Sequence, residues 1–399
     1  MSKLLVKNGR IVLKTRVLDN GYVEVTDGVI TGYGRGKCES GFSAGETLDA
    51  QGMYVAPGFV DIHLHGGGDN DFMDGTADAF IGAARAHTLY GTTSMFPTTL
   101  SGDLAETREV LSLYEKAASQ PYGGAEFLGF HLEGPCFSED EKGAQDPRYL
   151  VSPDKLPYRE MLSWSKHIKR WDLAPELPGG MEMGGYLAGR GLRVSIAHSS
   201  ASYADCVAAY ENGFTIMTHF YACLTSLHKM GKARGAGAIE AGYALRGMYV
   251  EVIADGAHMR PDAIRAVYQI KGPERVILIT DAMRAAASGL TESVLGSKAK
   301  GQPVYIDPEL GVARLKDSGV WAGSAATMQR LVRNAHLYGG IPIADTVLMA
   351  STTPAEAMGV HDRKGSIGLY KDADLVVFDD EINIRSVVLK GAVTPGIDA

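Results

Sequence analysis

The sequence has little of what marks membrane, secreted and nucleic-acid-binding proteins. No apolar run among its 399 residues approaches the roughly 20 residues of a membrane span. Its 4 cysteines, Cys38, Cys136, Cys206 and Cys223, show no CxxC or CxxxC spacing, which argues against a disulfide framework or a thiolate zinc site. It has no long basic run, and its net charge is −8, so nucleic acid and anionic membranes are disfavoured as partners. The amino terminus alternates apolar and polar residues like a strand rather than a signal peptide, so we predict a soluble, cytoplasmic protein.

Short apolar runs recur along the middle of the chain, and helical patterns follow most of them. This alternation is typical of a parallel βα array. No GxGxxG follows the first run, and polar clusters fall at the carboxyl ends of the runs, so a closed TIM-type (β/α)8 barrel is favoured over an open doubly wound sheet. The eight runs are Val55–His65, Thr93–Leu100, Phe127–Pro135, Ile168–Glu176, Leu192–Ser200, Phe214–Tyr221, Met248–His258 and Arg275–Met283. The helical patterns include Ala77–Tyr90, Leu104–Ser119, Ser202–Asn212 and Pro261–Ile270.

The two ends of the chain lack this alternation of strands and helices. Residues 1–56 read as short strands with turns at Asp19–Gly21 and Asp27–Gly28. The carboxyl-terminal residues 365–399 also read as strands. We therefore predict an α/β protein in which both termini form one small β-sandwich domain beside a catalytic barrel of residues 57–364.

Histidines and acidic residues stand where several of the predicted strands end. In Asp61-Ile-His63-Leu-His65, the two histidines are two residues apart, so their side chains point to the same face. Glu133 ends the third run and would be a costly buried carboxylate unless it were paired or metal-bound. The fifth, sixth and eighth runs also end in a histidine or an aspartate. The predicted metal ligands are His63, His65, Glu133, His198, His219 and Asp281.

A donor set of histidines and carboxylates suits one or two divalent ions, zinc first and iron, manganese or cobalt as alternatives, and does not suit calcium. Such an ion lowers the pKa of water and polarises a carbonyl group. Asp281 is then the predicted proton shuttle between the attacking water and the leaving amine. His258 ends the seventh run, where it is predicted to donate to the carbonyl oxygen, with a purely structural histidine as the alternative. The long segment Pro135–Lys166 is predicted to close over this site.

These motifs resemble the amidohydrolase superfamily and, within it, the N-acetylglucosamine-6-phosphate deacetylases. The resemblance covers nearly the whole chain and implies a metal-dependent barrel enzyme, usually a homodimer, that removes acetate from a sugar amine. It implies that Glu133, His198 and His219 bind the main metal ion, and the pair His63 and His65 favours a second ion. The resemblance rests on residues 56–66, 130–135, 173–176, 255–258, 279–284, 322–324 and 365–375.

The resemblance also implies roles for Asp281 as catalytic acid and base and for His258 as a substrate contact. The chain departs from the family pattern where substrate is bound. Ala222 stands where asparagine is usual, Gln145 where histidine is usual, and the loop that contains Lys232 and Arg234 is rebuilt. Arg234 is the expected replacement for the arginine that the neighbouring subunit supplies to phosphate, with a solvated surface arginine as the alternative. The predicted substrate-binding residues are Gln145, Ala222, Cys223, Arg234, His258, Ala322 and Gly323.

Two other functions are compatible with the motifs. A related amidohydrolase would act on a different N-acyl sugar, an N-acyl amino acid, a dipeptide or a cyclic amide. Such enzymes commonly use a carboxylated lysine from the fourth strand, and the run Ile168–Glu176 has no convincing lysine at its end. A non-catalytic barrel would have lost metal ligands, and this chain has all of them. We therefore predict hydrolysis of the acetyl amide of an amino sugar, with N-acetylglucosamine-6-phosphate as the expected substrate and glucosamine-6-phosphate and acetate as the products.

Overall fold

The structure is a computed structural model that describes residues 2–38, 42–230, 233–307 and 309–399. Its centre is a parallel sheet whose strands pair in chain order. The strands of this sheet are β1 (Phe59–Leu64), β2 (Thr92–Thr99), β3 (Phe130–Glu133), β4 (Ile168–Leu173), β5 (Arg193–Ile196), β6 (Phe214–Met217), β7 (Tyr249–Val252) and β8 (Val276–Leu278). A bridge between Leu64 and Ala282 joins β1 to the segment after β8. The sheet therefore closes on itself, and the predicted (β/α)8 barrel is confirmed.

Helices connect most of the barrel strands. The helix Pro261–Lys271 shows why they form, because proline occupies its first turn and Ile264 and Val267 supply a buried apolar face. The predicted helix 104–119 is divided into two. The α-helices are Ala77–Thr88, Leu104–Ser112, Tyr114–Ala118, Tyr158–Met161, Gly180–Gly189, Tyr203–Glu211, Ala238–Ala244, Pro261–Lys271, Met328–Arg333, Ile343–Ala350 and Thr352–Met358. Shorter turns are the 3₁₀ segments Phe72–Asp74 and Pro147–Tyr149 and the π segment Asn334–Tyr338.

Both termini contribute to one 8-stranded sheet beside the barrel. Val55 and Val377 pair across the two termini and belong to one buried apolar cluster. The predicted turn at Asp19–Gly21 is wrong, because the strand continues through it with an irregular register and a left-handed φ of 51° at Asn20. The strands are Lys3–Val12, Val17–Thr26, Val29–Arg35, Glu46–Asp49, Tyr54–Pro57, Leu375–Phe378, Ile384–Leu389 and Ala392–Pro395.

A 4-stranded antiparallel sheet follows β8 and was not predicted from the sequence. Its strands are Glu292–Leu295, Gln302–Ile306, Val312–Leu315 and Trp321–Ser324. Ser324 forms a bridge with Ala282, so the last strand of this sheet lies against the end of the barrel. Residues of the small sheet therefore reach the same end of the barrel as the predicted ligands.

Three smaller pairings complete the strands. Gly66–Gly67 pairs with Asn70–Asp71, and Glu126–Phe127 extends the barrel sheet at β2. The hairpin of His228–Met230 and Ala233–Gly235 follows β6 and carries Arg234, whereas Lys232 lies outside the described residues. Within the described ranges, no helix has both the length and the apolar character needed to cross a bilayer.

Candidate metal centre and active site

The predicted ligands converge at the carboxyl ends of the barrel strands, where active sites of this fold lie. Glu133 ends β3, and its Oε1 is 3.3 Å from Nε2 of His198 and 3.3 Å from Nε2 of His219. The two histidines follow β5 and β6 directly. These three residues are buried, and their ligand atoms all lie within 4.8 Å of one another. They form the first group of donors.

The tautomers of His198 and His219 follow from their outer contacts. Nδ1 of His198 is 2.9 Å from the carbonyl oxygen of Glu141, and Nδ1 of His219 is 3.1 Å from that of Ala222. A carbonyl oxygen only accepts, so each Nδ1 carries a proton that it donates, and each Nε2 presents a lone pair. The two Nε2 atoms are only 3.2 Å apart. Two lone pairs and a carboxylate at this distance repel one another unless a cation lies among them, so these residues fit a divalent metal ion.

A second group of donors also lies beside Glu133. Oδ1 of Asp281 is 3.1 Å from Nε2 of His65 and 3.5 Å from Nε2 of His63. Glu133 reaches both histidines, with Oε1 3.4 Å from His63 and Oε2 3.5 Å from His65. The Nε2 atom of His63 is buried and has no hydrogen-bond partner in the described part of the chain. An unsatisfied buried nitrogen among carboxylates fits a second ion, which Glu133 would share.

In this cluster, burial and the neighbouring charges shift the pKa values in opposite directions, and the neighbouring charges dominate. Burial raises the pKa of the Glu133 carboxyl, but His63, His198 and His219 outweigh burial and hold the pKa well below its ordinary value. Burial lowers the pKa of His63, but Glu133 and Asp281 raise it well above its ordinary value. The cluster therefore requires positive charge to balance its carboxylates. A bound ion would supply that charge, and its binding would release protons from the histidines.

The backbone is unusual at three of the predicted ligands. His198, His219 and Asp281 have φ values of 44°, 29° and 47°, in the left-handed region that residues other than glycine rarely adopt. All three stand just after a barrel strand. Such conformations cluster at functional sites, where the surrounding structure holds them in place.

A network of buried charges lies in the barrel interior below the ligands, and it was not predicted from the sequence. The guanidinium group of Arg170 on β4 donates to Asp172 at 2.9 Å and to Glu251 at 3.0 Å. Glu251 Oε2 is 3.4 Å from Nδ1 of His63, and Asp172 Oδ1 is 2.8 Å from Nε2 of His131. Arg170, Asp172 and Glu251 are fully buried. The network therefore supports His63 from the side opposite the metal site.

A cavity of about 270 Å³ opens above the ligands. The predicted substrate-binding residues that line it are Gln145, Ala222, Cys223, His258 and Gly323. Gly143 and Ala144 also line the cavity, so the long loop after β3 forms part of its wall. The unpredicted sheet adds Leu295, Val320 and Trp321. Polar groups at the base and a wall of both apolar and polar side chains suit a small polar substrate that carries an acyl group.

His258 is held in one orientation at the wall of the cavity. Its Nδ1 is 2.8 Å from Oδ2 of Asp255, and its ring packs edge-on against Trp321 with centroids 4.8 Å apart. Asp255 in turn accepts the backbone N–H groups of Ala257 and His258 at 2.9 and 2.8 Å. Because a carboxylate occupies Nδ1, Nε2 is the atom left for substrate.

Two predicted substrate residues lie elsewhere. Ala322 is fully buried in an apolar cluster with Met283 and Val304, because alternation along its strand turns its neighbours, and not Ala322, toward the cavity. Arg234 is exposed on the hairpin after β6 and is not among the described residues that line the cavity. Its contact with phosphate stays a prediction.

Residues 54–394 match the Amidohydrolase family. An N-acetylglucosamine-6-phosphate deacetylase of Vibrio furnissii is 34% identical over 84% of this chain and 82% of that protein. An N-acetylgalactosamine-6-phosphate deacetylase of Escherichia coli O157:H7 is 31% identical over 84% of this chain and 86% of that protein. The crystal structure of N-acetylglucosamine-6-phosphate deacetylase from Pasteurella multocida has a TM-score of 0.89 at 25% identity and covers 99% of this chain and 100% of that chain. The similarity extends over the barrel and the sheet of the termini.

Proposed function

Because the chain belongs to the amidohydrolase family and, within it, to the N-acetylglucosamine-6-phosphate deacetylases, we propose that it hydrolyses N-acetylglucosamine-6-phosphate to glucosamine-6-phosphate and acetate. It is a hydrolase of carbon–nitrogen bonds. The observation that carries the proposal is the convergence of Glu133, His198 and His219 at the base of a cavity, with Asp281 beside them.

Glu133, His198 and His219 would hold the main ion, and His63, His65 and Asp281 a second one. When bound, such an ion lowers the pKa of water and polarises the acetyl carbonyl. We propose zinc as the resident ion, since the mixed donor set of histidine and carboxylate suits it. The buried lone pairs of His198 and His219 support a divalent cation at this place.

Asp281 is the proposed proton shuttle. Its Oδ1 is 3.1 Å from His65, and it lines the same cavity as Glu133. Its carboxylate accepts a proton from the attacking water and returns it to the amide nitrogen, so that the amine leaves in neutral form. Burial raises the pKa of Asp281, but His63 and His65 outweigh burial and keep the pKa below its ordinary value, so the group is a carboxylate rather than a carboxylic acid.

The sugar would contact the upper part of the cavity. The Nε2 atom of His258 and the backbone around Ala222 and Cys223 are the polar groups placed to meet it. The side chains that line the cavity include histidines but neither lysine nor arginine among the described residues. We propose that a homodimer supplies the missing cation, with Arg234 reaching phosphate across the interface. A guanidinium group offers phosphate the bidentate geometry it favours.

The experiment is to compare kcat/KM for acetate release from N-acetylglucosamine-6-phosphate and from N-acetylglucosamine. We expect a strong preference for the phosphorylated sugar. Equal values would contradict the phosphate assignment and leave the deacetylase assignment intact. If neither sugar is hydrolysed, the substrate class is wrong.

A second candidate substrate is N-acetylgalactosamine-6-phosphate, which the name of the Escherichia coli O157:H7 relative favours. It belongs in the same assay. Substrates of enzymes with a carboxylated lysine on the fourth strand are not favoured, since Lys169 on β4 is exposed and the neighbouring Arg170 is buried.

We further propose a cytoplasmic location and a division into a small β domain (1–56 and 365–399) and a catalytic barrel (57–364).

A further inference from the structure

A glutamine from the long loop after β3 is bonded directly to the central metal-binding carboxylate. Nε2 of Gln145 donates to Oε2 of Glu133 at 2.7 Å, whereas the histidine contacts of this carboxylate measure 3.3 to 3.5 Å. Gln145 is 6% exposed and forms part of the cavity wall. Its amide is therefore a buried partner of Glu133.

The orientation of this amide is fixed by a second contact. The backbone N–H of Ser101 donates to Oε1 of Gln145 at 3.0 Å. A backbone N–H is only a donor, so the oxygen of the amide must face Ser101 and the NH₂ group must face Glu133. Ser101 follows β2 and Glu133 ends β3. Gln145 thus ties the carboxylate to the neighbouring strand.

The two oxygens of Glu133 are consequently distinct. Oε2 accepts from Gln145 and lies 3.5 Å from Nε2 of His65, whereas Oε1 faces the Nε2 atoms of His198, His219 and His63. A free glutamate side chain would lose rotamer entropy when it became a metal ligand, and a preset hydrogen bond removes part of that loss. A glutamine suits this role because its side chain is neutral and its NH₂ group donates a hydrogen bond. It does not repel the carboxylate as an acidic side chain would, and it does not compete with a metal ion as a positively charged side chain would.

We propose that Gln145 is a positioning residue that fixes Glu133 in its metal-binding orientation and thereby slows the loss of the ion. This inference rests on the proposed function, since it assumes the ion that Glu133, His198 and His219 would hold. Outer partners of metal ligands typically change metal affinity by about 10–100-fold when they are removed. The ion should therefore be retained less well without the amide of Gln145.

The test is the rate at which zinc-loaded protein loses its ion to a chromogenic chelator. Gln145→Met keeps the length of the side chain and removes its donor, and we expect about 10–100-fold faster loss. Gln302→Met is the matched control, because Gln302 donates to the backbone oxygen of Ala144 at 2.8 Å and so anchors the same loop without touching Glu133. We expect this control to lose zinc at the wild-type rate. The melting temperatures of both metal-free variants are measured beside that of metal-free wild type, so that a change in the stability of the fold is distinguished from a change in zinc loss.

Gln145→Ala removes the same donor with less bulk, and it must also speed the loss of zinc. The inference is overturned if both Gln145 variants lose zinc at the wild-type rate. It is also overturned if Gln302→Met speeds the loss equally, since anchoring of the loop would then explain the effect. A wild-type protein that holds no divalent ion would instead refute the proposed function and this inference together.

Discussion

Replacement of Arg170 by methionine should destabilise the barrel strongly. Arg170 is fully buried, and its guanidinium donates to Asp172, Glu251, Ser195 and Thr218 at 2.9, 3.0, 2.9 and 2.8 Å. Methionine fills a similar length but removes the charge. Two carboxylates would then be buried without their shared cation, and such a loss typically costs about 3–5 kcal/mol.

The assay is denaturant unfolding, with the free energy of unfolding extrapolated to water and the metal concentration held fixed. The control is Lys166→Met, which breaks an ion pair with Glu115 of 2.8 Å whose side chains are 75% and 66% exposed. An exposed pair contributes about 0–1 kcal/mol, so this variant should lie close to wild type. Comparison of the two variants distinguishes the effect of removing a buried charge from the effect of removing an exposed one.

A double variant identifies the source of the cost. Adding Glu251→Gln to Arg170→Met removes one of the stranded charges, and the amide oxygen can still accept from Nδ1 of His63. We expect this second change to recover about 1–3 kcal/mol, the scale of coupling between residues in contact. The reasoning is refuted if Arg170→Met unfolds within about 1 kcal/mol of wild type, or if Glu251→Gln recovers nothing.

Three further predictions concern activity and metal. Asp281→Asn should keep the fold and the main ion but lose at least about a hundredfold in kcat, because an amide cannot shuttle the proton; near-normal turnover would assign that role elsewhere. The double variant Glu133→Ala, His198→Ala should purify without the main ion by elemental analysis, and wild-type metal content would show that the ligands are other residues. Arg234→Ala should lower kcat/KM on the phosphorylated sugar, by an amount equivalent to about 1.5–3 kcal/mol of transition-state stabilisation, and should change it little on the neutral sugar. Equal losses on both sugars would exclude a phosphate contact.

The barrel was predictable because its signal is repeated along the chain. Each strand carries an apolar run, and errors at single boundaries do not change the alternation of strands and helices. The small sheet between Glu292 and Ser324 was missed because its strands are short and partly exposed, with few of the apolar residues that mark a buried strand. The sequence therefore did not predict that Trp321 and Leu295 line the cavity.

The convergence of the candidate ligands was predictable for a different physical reason. Residues two apart on a strand share a face, and all strand ends of a barrel meet at one rim. His63, His65 and Glu133 could therefore be placed together from spacing alone. The contact of Gln145 with Glu133 could not, because it depends on the path of a long loop that no local pattern determines.

The buried charges of the interior left a signal in the sequence, although the sequence did not lead us to predict them. Arg170 and Asp172 are two residues apart on β4, as His63 and His65 are at the end of β1, and Glu251 interrupts an apolar run on β7. A charged residue within such a run points either to solvent or into the barrel, and the sequence alone does not distinguish the two faces when both are apolar. The presence of oppositely charged partners decides which way the residue points, because a charged side chain is stable in the barrel interior only when it is paired.

His63 shows why the candidate metal site and the network of buried charges below it depend on each other. Its Nε2 faces Glu133 and Asp281, whereas its Nδ1 faces Glu251, which Arg170 holds. An acceptor at Nδ1 keeps the proton on that nitrogen and leaves the lone pair on Nε2. The histidine pair at the end of β1 can therefore serve as a ligand pair only above a carboxylate that is itself neutralised. The buried arginine supplies that neutralisation, so removal of Arg170 should weaken both the stability of the interior and the binding of any ion at His63 and His65.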